Sequence, residues 1–234
     1  MSRRDELAAN LGALRARIAV ACEAAGRDVS EITVIAVTKT FPVSDIRLLA
    51  GLGMTEIGEN RDQEAAPKAA ECADLDLTWH FVGQLQTRRC RSVSRYASCV
   101  HSVDRERLVR VLGAQARRAG RVLTCLVQVS LDSAEAAEGR GGAPPDQVPA
   151  LAEQVAGEDG LRLGGVMAVA PLGVPPQRAL PALAAVAADV RAAHPGATMI
   201  SAGMSDDLEE AIGYGATHLR IGTALLGARR PFVR

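Results

Sequence analysis

Eight times along its 234 residues the chain passes from a short apolar run into a segment with helical spacing. The first pairs are Ile32–Thr38 then Val43–Gly51, Glu56–Gly58 then Arg61–Cys72, Thr78–Gly83 then Gln86–Tyr96, and Ser98–Val103 then Arg105–Arg118. They continue as Val122–Val129 then Pro145–Ala156, Leu161–Val169 then Pro176–Ala193, Thr198–Ser201 then Asp206–Gly213, and His218–Ile221 then Thr223–Leu226. Val122-Leu123-Thr124-Cys125-Leu126-Val127-Gln128-Val129 hardly alternates, as parallel strands covered on both faces require. Parallel strands in turn demand crossover helices. Eight such units in a chain of this length fit an α/β fold, a compact (β/α)8 TIM barrel, with a doubly wound open sheet as the structural alternative. Ahead of the first unit, Leu7, Leu11, Leu14, Ile18 and Cys22 share one side of an extra N-terminal helix that ends near Gly26. No low-complexity linker divides the chain, since Ser133–Pro145 reads as a long loop after the fifth strand. Residues 1–234 are therefore expected to form a single domain.

Composition narrows the partners. With 27 acidic and 27 basic residues there is no net field to hold an anionic polymer or a membrane, and three Phe, two Tyr and one Trp are few for stacking on bases. Neither nucleic acid nor membrane is expected. Cys22, Cys72, Cys90, Cys99 and Cys125 are odd in number and free of Cys-x-x-Cys spacing, so they read as reduced structural thiols. The start, Met1-Ser2-Arg3-Arg4-Asp5-Glu6, runs into an amphipathic pattern without an apolar signal core, and the simplest compartment is the cytoplasm.

In such a barrel the chemistry sits at the carboxyl ends of the strands. The first strand ends on Lys39, one of only two lysines, after Ile32-Thr33-Val34-Ile35-Ala36-Val37-Thr38. An amine among Val and Ile neighbours is desolvated, which lowers its pKa and suits it to attack a carbonyl as a Schiff-base former. The plainer reading is the first solvated residue after a strand. Ser201-Ala202-Gly203-Met204-Ser205-Asp206-Asp207 and Arg220-Ile221-Gly222-Thr223-Ala224 each put small residues where a strand gives way to a helix. Two such turns suit an anion cradle at the barrel's habitual phosphate position; alternatively the glycines only serve tight turns and Asp206 with Glu209 forms a capping box.

A reactive amine, an anion cradle and an arginine in one mouth suit a phosphate-bearing aldehyde, and pyridoxal 5′-phosphate and a class I aldolase's phosphosugar both fit. His80 reads equally as a core or a pocket residue, and His101 with Asp104 as a catalytic pair or, for Asp104, a helix cap. His194 and His218 read as surface or strand-start residues, and the histidines show no metal-ligand spacing. Arg88, Arg89, Arg91 and Arg95 form a basic helix face, either solvated or a contact for a partner.

Ala36-Val37-Thr38-Lys39-Thr40-Phe41-Pro42, Ile57-Gly58-Glu59-Asn60-Arg61-Asp62-Gln63-Glu64, Trp79-His80-Phe81-Val82-Gly83-Gln84-Leu85-Gln86-Thr87, His101-Ser102-Val103-Asp104 and the two late turns run in order over almost the whole chain. Together they resemble the pyridoxal phosphate homeostasis protein family. The resemblance implies a fold like the N-terminal domain of alanine racemase (fold type III among pyridoxal phosphate proteins), and a protein that binds and delivers the cofactor without an established catalytic reaction. It makes Lys39 the imine lysine and Asn60 a pocket residue near the ring; Ser201, Gly203, Gly222 and Thr223 would hold the phosphate, and Arg220 would face the pyridine nitrogen. The sequence departs from the family pattern at Gln84 (often His), Arg88-Arg89 (often Asn-Lys), Arg140 (often Lys before glycine) and Ala202 (often Met). Arg140 cannot form a second imine.

An arginine against the ring nitrogen opposes its protonation and weakens the electron sink. The only tyrosines, Tyr96 on a helix and Tyr214 before the eighth strand, offer no obvious second base. The expected partners are pyridoxal phosphate and apo forms of enzymes that use it. The expected state is a monomer, because the racemase's second domain and its dimer contact are missing. An amino-acid racemase or decarboxylase using the same cofactor, and a class I aldolase, are the alternatives.

Overall fold

The computed structural model describes residues 1–132, 141–171 and 173–228. Eight parallel strands pair in chain order and close: β1 (Thr33–Val37), β2 (Glu56–Glu59), β3 (Thr78–Phe81), β4 (Cys99–Val103), β5 (Leu123–Gln128), β6 (Leu161–Met167), β7 (Met199–Ser201) and β8 (His218–Ile221). Closure is made by β1 on β8, with Thr33 opposite His218 and Ala36 opposite Ile221. An open sheet would leave two edges; here there are none, so the (β/α)8 barrel is the fold and the doubly wound alternative is not.

Helices α2 (Val43–Ala50), α3 (Asp62–Glu71), α4 (Cys90–Tyr96), α5 (Glu106–Arg118), α6 (Val148–Ala156), α7 (Pro176–Ala193), α8 (Leu208–Gly213) and α9 (Thr223–Leu226) follow the strands and cover them. Their apolar stripes supply the core between layers; α5 buries Leu108, Val109, Leu112 and Ala116, while Arg107, Arg110 and Arg117 stay outside. Two expected helices begin as 3-10 turns, Thr87–Arg89 before α4 and Pro145–Gln147 before α6. The β5–β6 register slips between Cys125 and Leu126, opposite Gly164 and Gly165. Gly165 has φ +143°, and a Cβ there would lie 2.0 Å from the Met199 carbonyl oxygen, so the strand approaches β7 only as glycine.

The extra helix, α1 (Arg3–Ala25), starts in a Ser2–Asp5 capping box and stops at Gly26 with φ +64°. Its apolar side, Leu7, Leu11, Leu14 and Ile18, is buried. Its polar arms reach the end of the barrel. Arg3 and Asn10 donate to the carbonyls of Leu226 and Leu225 at 2.9 and 3.0 Å, and Arg17 donates to the Ser205 carbonyl at 3.1 Å. Carbonyls that α9 cannot satisfy internally are thus satisfied by α1.

Two expected caps form differently. Glu209 is paired with Arg17 (2.8 Å) and does not close a box with Asp206; Asp207 instead accepts from the Met204 N–H at 2.6 Å. At the start of α5, Asp104 is turned to the Arg105 guanidinium at 2.5 Å, and no side-chain cap bond is made. In both places an arginine offers the carboxylate a charge-assisted bond, which outcompetes a neutral cap. Of the Ser133–Pro145 loop, residues 133–140, Arg140 among them, lie outside the described residues.

Candidate functional site

The closed order brings residues from both halves of the chain to the carboxyl end of the barrel. Lys39 stands two residues beyond β1, half-buried, in a turn closed by the Phe41 N–H donating to the Thr38 carbonyl at 3.0 Å. The next residue, Thr40, has φ +67°, the left-handed region that a β-branched side chain rarely adopts. Its N–H donates to Glu64 Oε2 at 3.0 Å, which helps hold that conformation.

Beneath the turn lies a clamp that sequence reading missed. The second lysine, Lys68 of α3, donates to Glu59 Oε1 at 2.6 Å and to the Thr38 carbonyl at 2.9 Å, and Thr38 Oγ1 donates to the same Glu59 oxygen at 2.7 Å. Glu59 is fully buried, and burial pushes its carboxyl pKa up further than Lys68 and Thr38 pull it down. Its other oxygen, like Asp62 Oδ1, Arg89 Nε and Tyr96 Oη, has no hydrogen-bond partner among the described residues. The available signal was the scarcity of lysine itself, which applied to Lys68 as much as to Lys39.

On the other flank of β1, the turns after β7 and β8 are tied together. The Arg220 N–H donates to the Gly203 carbonyl at 2.9 Å, and the Ala224 N–H donates to Ser205 Oγ at 3.0 Å. Gly203 has φ +88°, and a Cβ there would meet Ala211 Cβ at 2.6 Å. At Gly222 a Cβ would find nothing closer than the Val37 carbonyl at 3.7 Å, which places this turn beside the strand that leads to Lys39 and leaves room at its surface. Gly222 and Asn60 are half-buried, Thr223 is exposed, and Ser201, Gly203 and Arg220 lie beneath them.

Arg220 is pinned by three donated bonds, each 2.7 Å, to the Ser201 carbonyl, Ser201 Oγ and the Ala168 carbonyl. Two of its five N–H groups make no bond among the described residues. Burial lowers its pKa to about 10, which leaves it cationic at neutral pH. Ser201 Oγ also meets His101 Nδ1 at 2.9 Å. His101 and Asp104 are therefore not a catalytic pair: His101 bonds to Ser201 and to His80, and Asp104 to Arg105.

His80 is a hydrogen-bonded interior residue, 4% exposed. With Cys99 and His101 it presents ligand atoms within 4.8 Å of one another, a grouping that linear spacing did not reveal. The facing nitrogens of the two rings are bonded to each other at 2.9 Å, and burial pushes the Cys99 thiol pKa up, so the donors are engaged or protonated.

Burial holds the pKa of His101 well below the usual histidine value and lowers that of His218 to about 4. The folded state thus keeps both rings neutral. Between pH 6.5 and 4 the unfolded chain binds protons that the folded one refuses, so stability falls as pH drops through that window. His218 alone contributes on the order of 3 kcal/mol to the fall. Urea unfolding at pH 7 and pH 4.5 should show it, and His218→Gln should flatten the difference.

A cavity of about 550 Å³ lies away from the mouth between α1 and α8, and its ionisable residues, Arg17 and Glu209, are paired with each other. Another, about 530 Å³, is lined by Arg91, Arg95 and Arg118 on the flank formed by α4 and α5. At the mouth itself, a cavity of about 240 Å³ runs past Gln84, Gln128 and Met167, and one of about 230 Å³ past Asn60 and Gln84. No helix among the described residues is long and apolar enough to cross a membrane.

Comparison with known proteins decides the family. The family model described as alanine racemase, N-terminal domain, matches residues 9–230. Proteins named pyridoxal phosphate homeostasis protein match at 42% identity in Mycobacterium tuberculosis (97% of this chain, 95% of that one), 41% in Pseudomonas aeruginosa (95% and 96%) and 36% in Escherichia coli (96% and 97%). The chain belongs to the pyridoxal phosphate homeostasis protein family. Among solved structures, PipY of Synechococcus elongatus with pyridoxal phosphate bound superposes with TM-score 0.82 at 32% identity, covering 94% of this chain and all of that one. An alanine racemase from Clostridium difficile gives TM-score 0.73 at 14% identity over 97% of this chain and 61% of its own, which shows the shared barrel alone. Membership in the pyridoxal phosphate homeostasis protein family agrees with the resemblance carried by the ordered motifs, and takes in the positions where Gln84 and Arg88-Arg89 depart from them.

Proposed function

We propose that this chain binds pyridoxal 5′-phosphate at the barrel mouth, retains it covalently on Lys39, and yields it to apo forms of enzymes that need it, without a substrate of its own. The observation that carries the reading is the β1–β8 closure, which sets Lys39, Arg220 and the paired glycine turns in one mouth, in a relative of PipY. The residues fit the group: an amine, a buried guanidinium with two donors not engaged among the described residues, and two stitched turns with open space at Gly222. When bound, the cofactor supplies an aldehyde carbon for an amine to attack and a phosphate to anchor.

Each residue then has a task. Lys39, on a turn fixed by Thr38, Glu59, Lys68 and Glu64, presents the attacking nitrogen. Gly203, Gly222, Thr223 and Ser201 receive the anionic tail, and Asn60 borders the ring. Arg220 opposes a second positive charge on a ring nitrogen set against it, which disfavours carbanion chemistry. Neither tyrosine stands at the mouth. Tyr96 packs edge-on to Trp79 with its hydroxyl buried, and Tyr214 caps α8 ahead of β8. That arrangement favours a carrier over a racemase or decarboxylase.

The purified protein should be yellow, lose the colour on borohydride, and carry a pyridoxyl mass on the Lys39 peptide. Incubation with an apo-enzyme should restore that enzyme's activity as the colour leaves this chain. A phosphosugar trapped in place of the pyridoxyl mass would establish the aldolase instead, and Lys39-dependent racemisation of alanine would refute the carrier.

A further inference from the structure

The barrel interior holds a continuous polar path that runs away from the mouth. Arg220 Nη1 donates to Ser201 Oγ at 2.7 Å, Ser201 Oγ meets His101 Nδ1 at 2.9 Å, His101 Nε2 meets His80 Nδ1 at 2.9 Å, and His80 Nε2 meets Glu56 Oε2 at 2.6 Å. Its members come from β8, β7, β4, β3 and β2. Ser201 is the last residue of β7, at the carboxyl end; Glu56 is the first of β2, at the amino end, with its side chain 28% exposed. Ser201 and His101 are fully buried.

Donor counting gives the path a direction. A guanidinium only donates, so Ser201 Oγ accepts from Arg220. The single hydroxyl proton then has one acceptor among the described residues, His101 Nδ1. His101 must carry its own proton on Nε2 and give it to His80 Nδ1; His80 carries its proton on Nε2 and gives it to Glu56. Both rings are neutral in this arrangement. The other ionisable groups facing them are His218 and Cys99, both held uncharged by burial at neutral pH. With its proton committed to His101, the Ser201 hydroxyl has none to offer an anion at the mouth.

We propose that a phosphate monoester seated at Ser201 reverses the relay and places one proton on His80, as an imidazolium against the Glu56 carboxylate. The proton enters at the mouth, from water or from the ester's own acid group. Ser201 Oγ takes it as its former proton passes to His101 Nδ1; the His101 Nε2 proton passes to His80 Nδ1; His80 keeps its Nε2 proton on Glu56. Only N–H and O–H bonds break and form, and the relay gains one proton. Ser201 then donates to the anion while accepting from His101 and Arg220, and the charge comes to rest beside the one carboxylate on the path. The inference rests on the cofactor reading above, in that the anion is the phosphate tail.

The test uses the full chain labelled with 15N-histidine and 4-deoxypyridoxine 5-phosphate, which has the ring and the phosphate but no aldehyde for Lys39. Without it, the ring nitrogens of His80 and His101 should both report neutral Nε2–H forms. At saturation, followed by the phosphorus resonance, His101 should become Nδ1–H and His80 doubly protonated. Binding heats measured in two buffers should show uptake of about one proton per chain. Glu56→Gln should lose that uptake and weaken binding roughly three- to tenfold, because the imidazolium would lack its carboxylate. A shifted phosphorus line with both rings unchanged overturns the relay and leaves the cofactor reading standing. No phosphorus shift at all removes the phosphate site, and both fall.

Discussion

Lys39→Ala should remove all borohydride-trapped pyridoxyl mass from the chain while the barrel still forms. Only two lysines are present, so the outcome is unusually clean. In the proposed reading the amine at the end of β1 is the nucleophile, and no arrangement of the remaining mouth residues replaces it. Retention through the phosphate turns and Arg220 should survive at reduced strength, roughly tenfold weaker or more, readable by dialysis against buffer. A label that persists and maps to Lys68 would instead make the buried clamp the capture site, and would exchange the roles of the two amines.

Lys68→Met should be the most destabilising single change near the mouth. Among the described residues it leaves Glu59 with Thr38 Oγ1 as its one remaining bond, in a place closed to solvent. Breaking a buried pair from one side costs about 3–5 kcal/mol, and the lower end applies because burial already favours the protonated carboxyl. For a chain of this size the melting temperature should drop by on the order of 10 °C. Adding Glu59→Gln should recover part of it, since a neutral amide is cheaper to bury than an unpaired carboxylate. Lys68→Met also removes one of the two bonds to the Thr38 carbonyl, leaving that from the Phe41 N–H, and so loosens the turn that carries Lys39; pyridoxal phosphate should then attach more slowly even at saturating concentration. Full stability with unaltered attachment would show that the clamp neither supports the fold nor positions the amine.

The alternation of apolar runs and helical segments was enough to read the barrel, and the late elements Pro176–Ala193, His218–Ile221 and Thr223–Leu226 lie where their patterns end. Lys39 and the two glycine turns were legible because each falls at a strand end, a position that the one-dimensional pattern already marks. Hydrogen-bond partners were not. His80 and His101 are 21 residues apart and His101 and Ser201 are 100 apart, so only the closed register makes them neighbours. Lys68 was hidden for another reason: on a helix face it looks like any solvated lysine, and its burial depends on how α3 leans on β2. The Asp206–Glu209 box failed because α1, distant in sequence, presents Arg17 to Glu209.

The seam between β1 and β8 also sets when the protein becomes competent during its own synthesis. Lys39 leaves the ribosome well before Arg220, and the α1 arms wait for carbonyls at 225 and 226, more than 200 positions downstream. Contacts of such separation form late and slowly. In the proposed reading a nascent chain therefore has its nucleophile before its anchor, and the vitamin finds a lasting berth only once β8 has been made and paired with β1.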